Sequence, residues 1–158
     1  MEAAAEQLIG RLRERRETLA TAESLTGGLV GAVLTSVPGA SEAYRGGVIA
    51  YATDLKAGLL GVSASLLAER GAVDPEVAIA MAAGVRTRLG ADWGLALTGV
   101  AGPEGQDGKA VGTVYIAVCN AERTTVVDRL FPGGRDEVRG AACADALHAV
   151  YARLADGE

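Results

Sequence analysis

A single histidine, a single tryptophan, a single phenylalanine and two cysteines stand in a chain of 158 residues. Each shortage removes a class of function. His148 falls far along the chain in the last helical stretch, so a Ser–His–Asp triad is not expected. Cys119 and Cys143 are well separated and form no C-x-x-C, so with one histidine they make no zinc site, and no metal is expected. The two thiols are expected to be free, buried and small, as in a cytoplasmic protein. A basic excess is lacking too: 15 Lys and Arg against 20 Asp and Glu give a net charge of −5. Direct nucleic-acid binding through released counterions is therefore not expected. Arg11, Arg13, Arg15 and Arg16 alternate with Glu14 and Glu17, which reads as a solvated helix face. No apolar run approaches the about 20 residues that span a bilayer, and no signal-like segment opens the chain, so no membrane association is expected.

Nucleotide signatures are missing as well. The glycine-rich stretch 99–109, GVAGPEGQDGK, is no P-loop: five residues separate Gly102 from Gly108, and Ala110 follows Lys109. No G-x-G-x-x-G follows a strand, and no serine sits in a G-x-S-x-G elbow.

What is present is a chain 49% apolar but only 4% aromatic, which calls for a core of Ala, Val and Leu. Periodicity predicts helices over 2–16, 28–36, 54–61, 63–69, 75–89 and 136–154. The clearest start is Asp74–Pro75, an N-cap with proline in the first turn, and Gly90 is the matching stop. Strands are predicted over 18–22, 45–52, 93–98, 111–120 and 124–131, with 45–52 read as a buried strand. Alternating strands and helices with one β–β step predict an α/β fold: a three-layer α/β/α sandwich around a mixed, mainly parallel sheet, in one domain spanning 1–158. Ligands of such sheets lie beyond the carboxyl ends of the strands, where the turns 22–28, 52–56 and 99–108 collect most of the suggestive polar residues.

The turn after the first strand, TAESLTGG, is the focus. Its helix start would favour an anion or a developing oxyanion, Gly27 and Gly28 would admit a ligand close to the backbone, and Ser24 adds a hydroxyl.

TAESLTGG at 21–28, PGAS at 38–41, GGVIAYATDLKAGLLGV at 46–62, GAV at 71–73, LALTGVAGPEG at 95–105, VGTVYIAV at 111–118 and FPGGRDEVR at 131–139 occur in this order. Together they resemble the CinA C-terminal domain family, whose members act as nicotinamide-nucleotide amidases. The resemblance covers essentially the whole chain. It implies a compact α/β/α domain that hydrolyses nicotinamide mononucleotide to nicotinate mononucleotide and ammonia without a cofactor. It also suggests a stand-alone form, since many relatives carry a further N-terminal domain. The family commonly has Cys where Leu25 stands here.

Amide hydrolysis without a metal needs a nucleophile, a base that later acts as acid, and an oxyanion hole. Ser24 is the expected nucleophile and Lys56 the expected base. If Thr53 or Asp54 caps the following helix, Lys56 falls in its first turn, where the dipole and burial both favour a neutral amine. Tyr51 is expected to relay a proton between them or to orient substrate. Thr98, Gly99, Ala101 and Gly102 are expected around the oxyanion or carboxamide. Thr26, Gly27 and Gly28 are expected to meet the phosphate or the oxyanion, with Arg135 and Arg139 as alternative phosphate partners. Glu23 is expected to orient Lys56 or a ribose hydroxyl. The competing reading is a non-catalytic nucleotide-binding module or an interaction protein of DNA uptake and repair. Self-association is also an expectation.

Overall fold

The computed structural model describes residues 1–156; positions 157 and 158, the end of the expected domain, lie outside the described residues. Five strands form one sheet: β1 (Leu19–Glu23), β2 (Tyr44–Ile49), β3 (Trp93–Gly99), β4 (Thr113–Cys119) and β5 (Thr124–Leu130). Their order across the sheet is β2-β1-β3-β4-β5. β1 pairs in parallel with both β2 and β3, whereas β3/β4 and β4/β5 are antiparallel. Of these strands β4 alone runs against the rest, which is the consequence of the β–β step read from the sequence. β1, β2 and β3 therefore end on one edge, and the turns that follow them converge there.

Helices cover both faces, giving the expected three layers. One face is covered by α1 (Glu2–Arg15), α2 (Leu29–Thr35) and α6 (Arg135–Ala155), the other by α3 (Thr53–Leu60), α4 (Ala64–Arg70) and α5 (Pro75–Leu89). The two halves of the core are built differently. Toward α1, α2 and α6 the sheet presents Leu19, Leu95, Leu97, Val114, Ile116 and Val118, all buried. Toward α5 it presents Ala20, Ala22, Ala96 and Ala117, with Gly94 among them in β3. Successive strand residues point to opposite faces, so this is one alternating pattern with large residues on one side and small ones on the other. The small side lets α5 lie close against the strands. A methyl on Gly94 would run into the Ala82 carbonyl oxygen of α5, and one on Gly84 into the Leu60 carbonyl oxygen of α3.

Two expectations are corrected. β2 is not buried: its residues alternate between half-buried and exposed, because it is an edge strand paired on one side only. The apolar run VIAYA gave no sign of edge position, since periodicity alone does not separate a buried strand from an edge one. The cap of α3 is Ala52, with no side-chain bond, in place of Thr53 or Asp54. Asp74 does cap α5, accepting from the Glu76 N–H, and Ser63 caps α4. Cys119 and Cys143 are both free and buried. Among the described residues no helix is long and apolar enough to cross a membrane.

The close seating of α5 predicts that Gly94→Ala and Gly84→Ala each lower the unfolding free energy by about 1–3 kcal/mol, as overpacking against fixed backbone does. Gly140→Ala in α6, where an added methyl meets nothing within 4 Å, should be neutral or stabilising by up to about 1 kcal/mol. Urea unfolding of the three variants measures this; a Gly94 variant as stable as the Gly140 variant would contradict the packing account.

Candidate active site

β1 ends in Glu23 and the chain turns at once through Ser24, Leu25 and Thr26. The Ser24 N–H is fixed to the Leu97 carbonyl of β3, so the turn is tied to the central strand. From the other layer, Lys56 projects out of α3. Its side chain is 1% exposed and is among the largest fully buried side chains of the protein. Nζ lies 3.0 Å from Ser24 Oγ, 2.8 Å from the Ala50 carbonyl oxygen and 3.3 Å from the Tyr51 carbonyl oxygen. No carboxylate is among these partners. Burial pushes the amine down to about 8. Desolvation by burial, one of the two causes expected, accounts for this lowering.

This arrangement fits both protonation states. An ammonium donates to all three oxygens. A neutral amine donates to the two carbonyls and turns its lone pair to the Ser24 hydroxyl, which is the geometry of a base beside a nucleophile.

Ser24 and Lys56 open onto a cleft of about 390 Å³ at the carboxyl edge of the parallel strands. Thr98, Gly99, Ala101, Gly102, Tyr51 and Arg135 also line it. Thr98 is wholly buried and donates from Oγ1 to the Ala72 carbonyl at 2.7 Å, which joins the segment before α5 to the end of β3. Arg135, the first residue of α6, donates through Nη1 to the Gly102 carbonyl at 2.6 Å and through Nη2 to the Tyr51 hydroxyl at 3.0 Å. It thus fastens the turn after β3 to the segment after β2 across the mouth of the cleft.

Several expected roles are corrected by position. Glu23 does not orient Lys56. Its carboxylate is 2% exposed and lies on the α2 side, where Oε1 accepts from the N–H groups of Gly28 and Val30 and Oε2 from that of Gly31. The anion expected at this helix start is therefore part of the chain itself. Glu23, Thr26, Gly27 and Gly28 lie outside the cleft lining, and the N–H groups of Gly28, Val30 and Gly31 are already engaged. The two glycines are required by their left-handed conformations, φ 58° and 102°, while an added methyl on Gly28 would press on Ile49 at 3.0 Å. Tyr51 does not bridge Ser24 and Lys56, which meet directly; its side chain is 59% exposed with its hydroxyl on Arg135 at the cleft, which agrees with the other half of the expectation, orientation of a substrate. Arg139 donates to the carbonyls of Leu25 and Thr26, at 2.9 and 3.2 Å, instead of projecting into the cleft.

Sequence reasoning missed the carbonyls of Ala50 and Tyr51, since backbone acceptors carry no residue signal. It also missed Ala72, Val73, Glu104 and Gln106 in the cleft lining, although the first two sit in the GAV block noted at 71–73. Among the described residues no cluster of His, Cys, Asp and Glu is arranged to hold a metal ion.

Comparison with known proteins places this geometry. A CinA-like protein of Frankia casuarinae is 51% identical over 148 residues, which are 94% of this chain and 34% of that protein. A CinA-like protein of a Synechococcus strain is 47% identical over 93% of this chain and 36% of its own length. The chain thus spans about a third of the length of these curated relatives. Among solved structures, a competence-damaged protein (CinA) superfamily protein from Klebsiella pneumoniae superposes with a TM-score of 0.95 at 32% identity, covering 98% of both chains. The competence/damage inducible protein CihA from Agrobacterium tumefaciens gives a TM-score of 0.92 at 34% identity, over 96% of this chain and 93% of its own. The family model described as the CinA C-terminal domain matches residues 1–154. On sequence and on fold alike, the chain belongs to the CinA C-terminal domain family.

Proposed function

We propose that this protein hydrolyses the carboxamide of nicotinamide mononucleotide, releasing ammonia and nicotinate mononucleotide, with Ser24 as nucleophile and Lys56 as base. The observation that carries the proposal is the buried amine 3.0 Å from a serine hydroxyl with no carboxylate beside it. Burying a lysine without a carboxylate partner is costly to the fold, and groups so perturbed cluster at functional sites.

Lys56 accepts the proton of Ser24 as Oγ bonds to the carboxamide carbon. The tetrahedral oxyanion collapses as the Lys56 ammonium gives that proton to the departing nitrogen, which leaves as ammonia. Water then attacks the acyl-serine with Lys56 again as base, and nicotinate and the free hydroxyl are restored. The cationic pyridinium ring withdraws electrons from the carboxamide and makes this attack easier. Thr98, Gly99, Ala101 and Gly102 frame the cleft wall against which the carboxamide end would lie. Arg135, at the mouth, is the cation best placed for the phosphate. This reading moves the phosphate away from the α2 start, where Glu23 already provides the negative charge.

The sign of the pH dependence follows from Lys56. Only the neutral amine accepts the proton, and its ionisation lies near 8, so kcat/KM should rise about tenfold per pH unit below 8 and level off above it. Ammonia release followed from pH 6 to 10 measures this, and a flat profile would remove Lys56 as the base. Ser24→Ala and Lys56→Met should each lower ammonia release by at least about a thousandfold. Arg135→Met should raise KM for the mononucleotide about tenfold or more while leaving that for the dephosphorylated riboside nearly unchanged. Stabilisation of the wild type by mononucleotides without any ammonia release would instead identify a binding module.

A further inference from the structure

The charges around the cleft are uneven. Among the described residues that line it, Lys56 and Arg135 are the basic side chains and Glu104 is the one carboxylate. Glu104 is exposed and enters no hydrogen bond or ion pair among the described residues. The turn that carries it is fixed on both sides. Before it, the Gly102 carbonyl accepts from Arg135 at 2.6 Å. After it, the backbones of Gln106 and Lys109 exchange hydrogen bonds of 3.1 and 2.8 Å, and the Asp107 carboxylate accepts from the Ala72 N–H at 3.3 Å. Asp107, three residues on, is thus used to fasten the turn, whereas the Glu104 carboxylate at the cleft is left without a partner.

The ligand of the amidase reading brings the charge that this carboxylate lacks. Nicotinamide mononucleotide carries a permanent positive charge on its ring nitrogen. The ring lies between the carboxamide, which must reach Ser24, and the ribose and phosphate, which extend toward Arg135 at the mouth. A cationic ring between an amine and a guanidinium is repelled from both ends unless an anion stands near it. Water displaced from the cleft by the ligand strengthens the attraction to such an anion. We propose that Glu104 is a specificity residue that reads the positive charge of the ring. The cleft then selects N-ribosylated pyridinium carboxamides over neutral ones, such as free nicotinamide or the dihydronicotinamide mononucleotide. The proposal rests on the amidase reading for its ligand, but the preference for ring charge is a property of binding and is measured without turnover.

The test uses two ligands that share the carboxamide, ribose and phosphate and differ in ring charge: nicotinamide mononucleotide and its dihydro form. Calorimetry gives Kd for each with Ser24→Ala, and with Glu104→Gln and Glu104→Asp added to that variant; Tm is recorded for all three. Ser24→Ala should bind the cationic ligand at least about tenfold more tightly than the neutral one. Glu104→Gln should weaken the cationic ligand about five- to tenfold and leave the neutral one within about twofold, with Tm unchanged. Glu104→Asp, which keeps the charge, should keep most of the preference. Equal weakening of both ligands by Glu104→Gln would mean a contact with the ribose and overturn the proposal. So would a preference for the cationic ligand that survives Glu104→Gln, or no preference in Ser24→Ala. Ammonia release by the otherwise wild-type chain separates the two readings. Release from the mononucleotide together with an indifferent Glu104→Gln sinks the role of Glu104 alone. No release, with a ring-charge preference that Glu104→Gln abolishes, sinks the amidase reading and upholds Glu104.

Discussion

The Lys56 amine bridges the two halves of the site, and the rest of the arrangement can be traced from that contact. Its stem comes from the α3 layer, its head meets a hydroxyl at the end of β1, and its other two bonds go to the carbonyls that follow β2. Such a contact requires three strands to end at one edge and two layers to be held in fixed relation. The parallel set β2-β1-β3 provides the edge. The alanine and glycine face beneath α5 holds the layers close. Glu23 then closes the turn from below by occupying the start of α2, so the residue after it, Ser24, is placed by a carboxylate that never enters the cleft.

Charge is distributed with the same economy. The buried amine has carbonyl oxygens around it and no anion, which leaves it easy to deprotonate. Among the described residues the buried carboxylate accepts from three N–H groups and pairs with no cation, which anchors it. Had Glu23 faced Lys56, the pair would have neutralised each other and the amine would have kept its proton. Separation of the two onto opposite faces of β1 follows from the side-chain alternation of a strand and the turn at its end.

Much of this was legible in the sequence, and the reasons differ by residue. The layers, the β–β step and the Asp74 cap follow from periodicity and local turn chemistry, which act over a few residues. Ser24 and Lys56 were legible as residue types, because a chain with one histidine has few other bases to offer; Lys56 is also one of only two lysines in the sequence. The direction in which Glu23, Arg139 and Tyr51 point was not legible. Tyr51 and Arg139 depend on partners far away in the chain, the pair Arg139 and Leu25 being separated by 114 residues, while Glu23 turns to backbone N–H groups of the next helix, which carry no residue signal. Edge position of β2 was hidden for the same reason, since the strand order across a sheet is not written in any local pattern.

Gly84 ties the least reactive part of the molecule to the most reactive. It meets α3 at the Leu60 carbonyl, one turn beyond Lys56 in the same helix. The seat of α3 is thus set by the absence of a side chain on a different helix. Any residue that thickened this contact would shift α3 outward as a body and draw the amine from the serine. A hydrogen bond weakens steeply over a few tenths of an ångström, whereas a core absorbs such a shift by repacking. Substitutions at this contact of α5 would therefore loosen the Lys56–Ser24 contact while the protein still folds, and drift in its sequence is confined by a distance set between two other side chains of the fold.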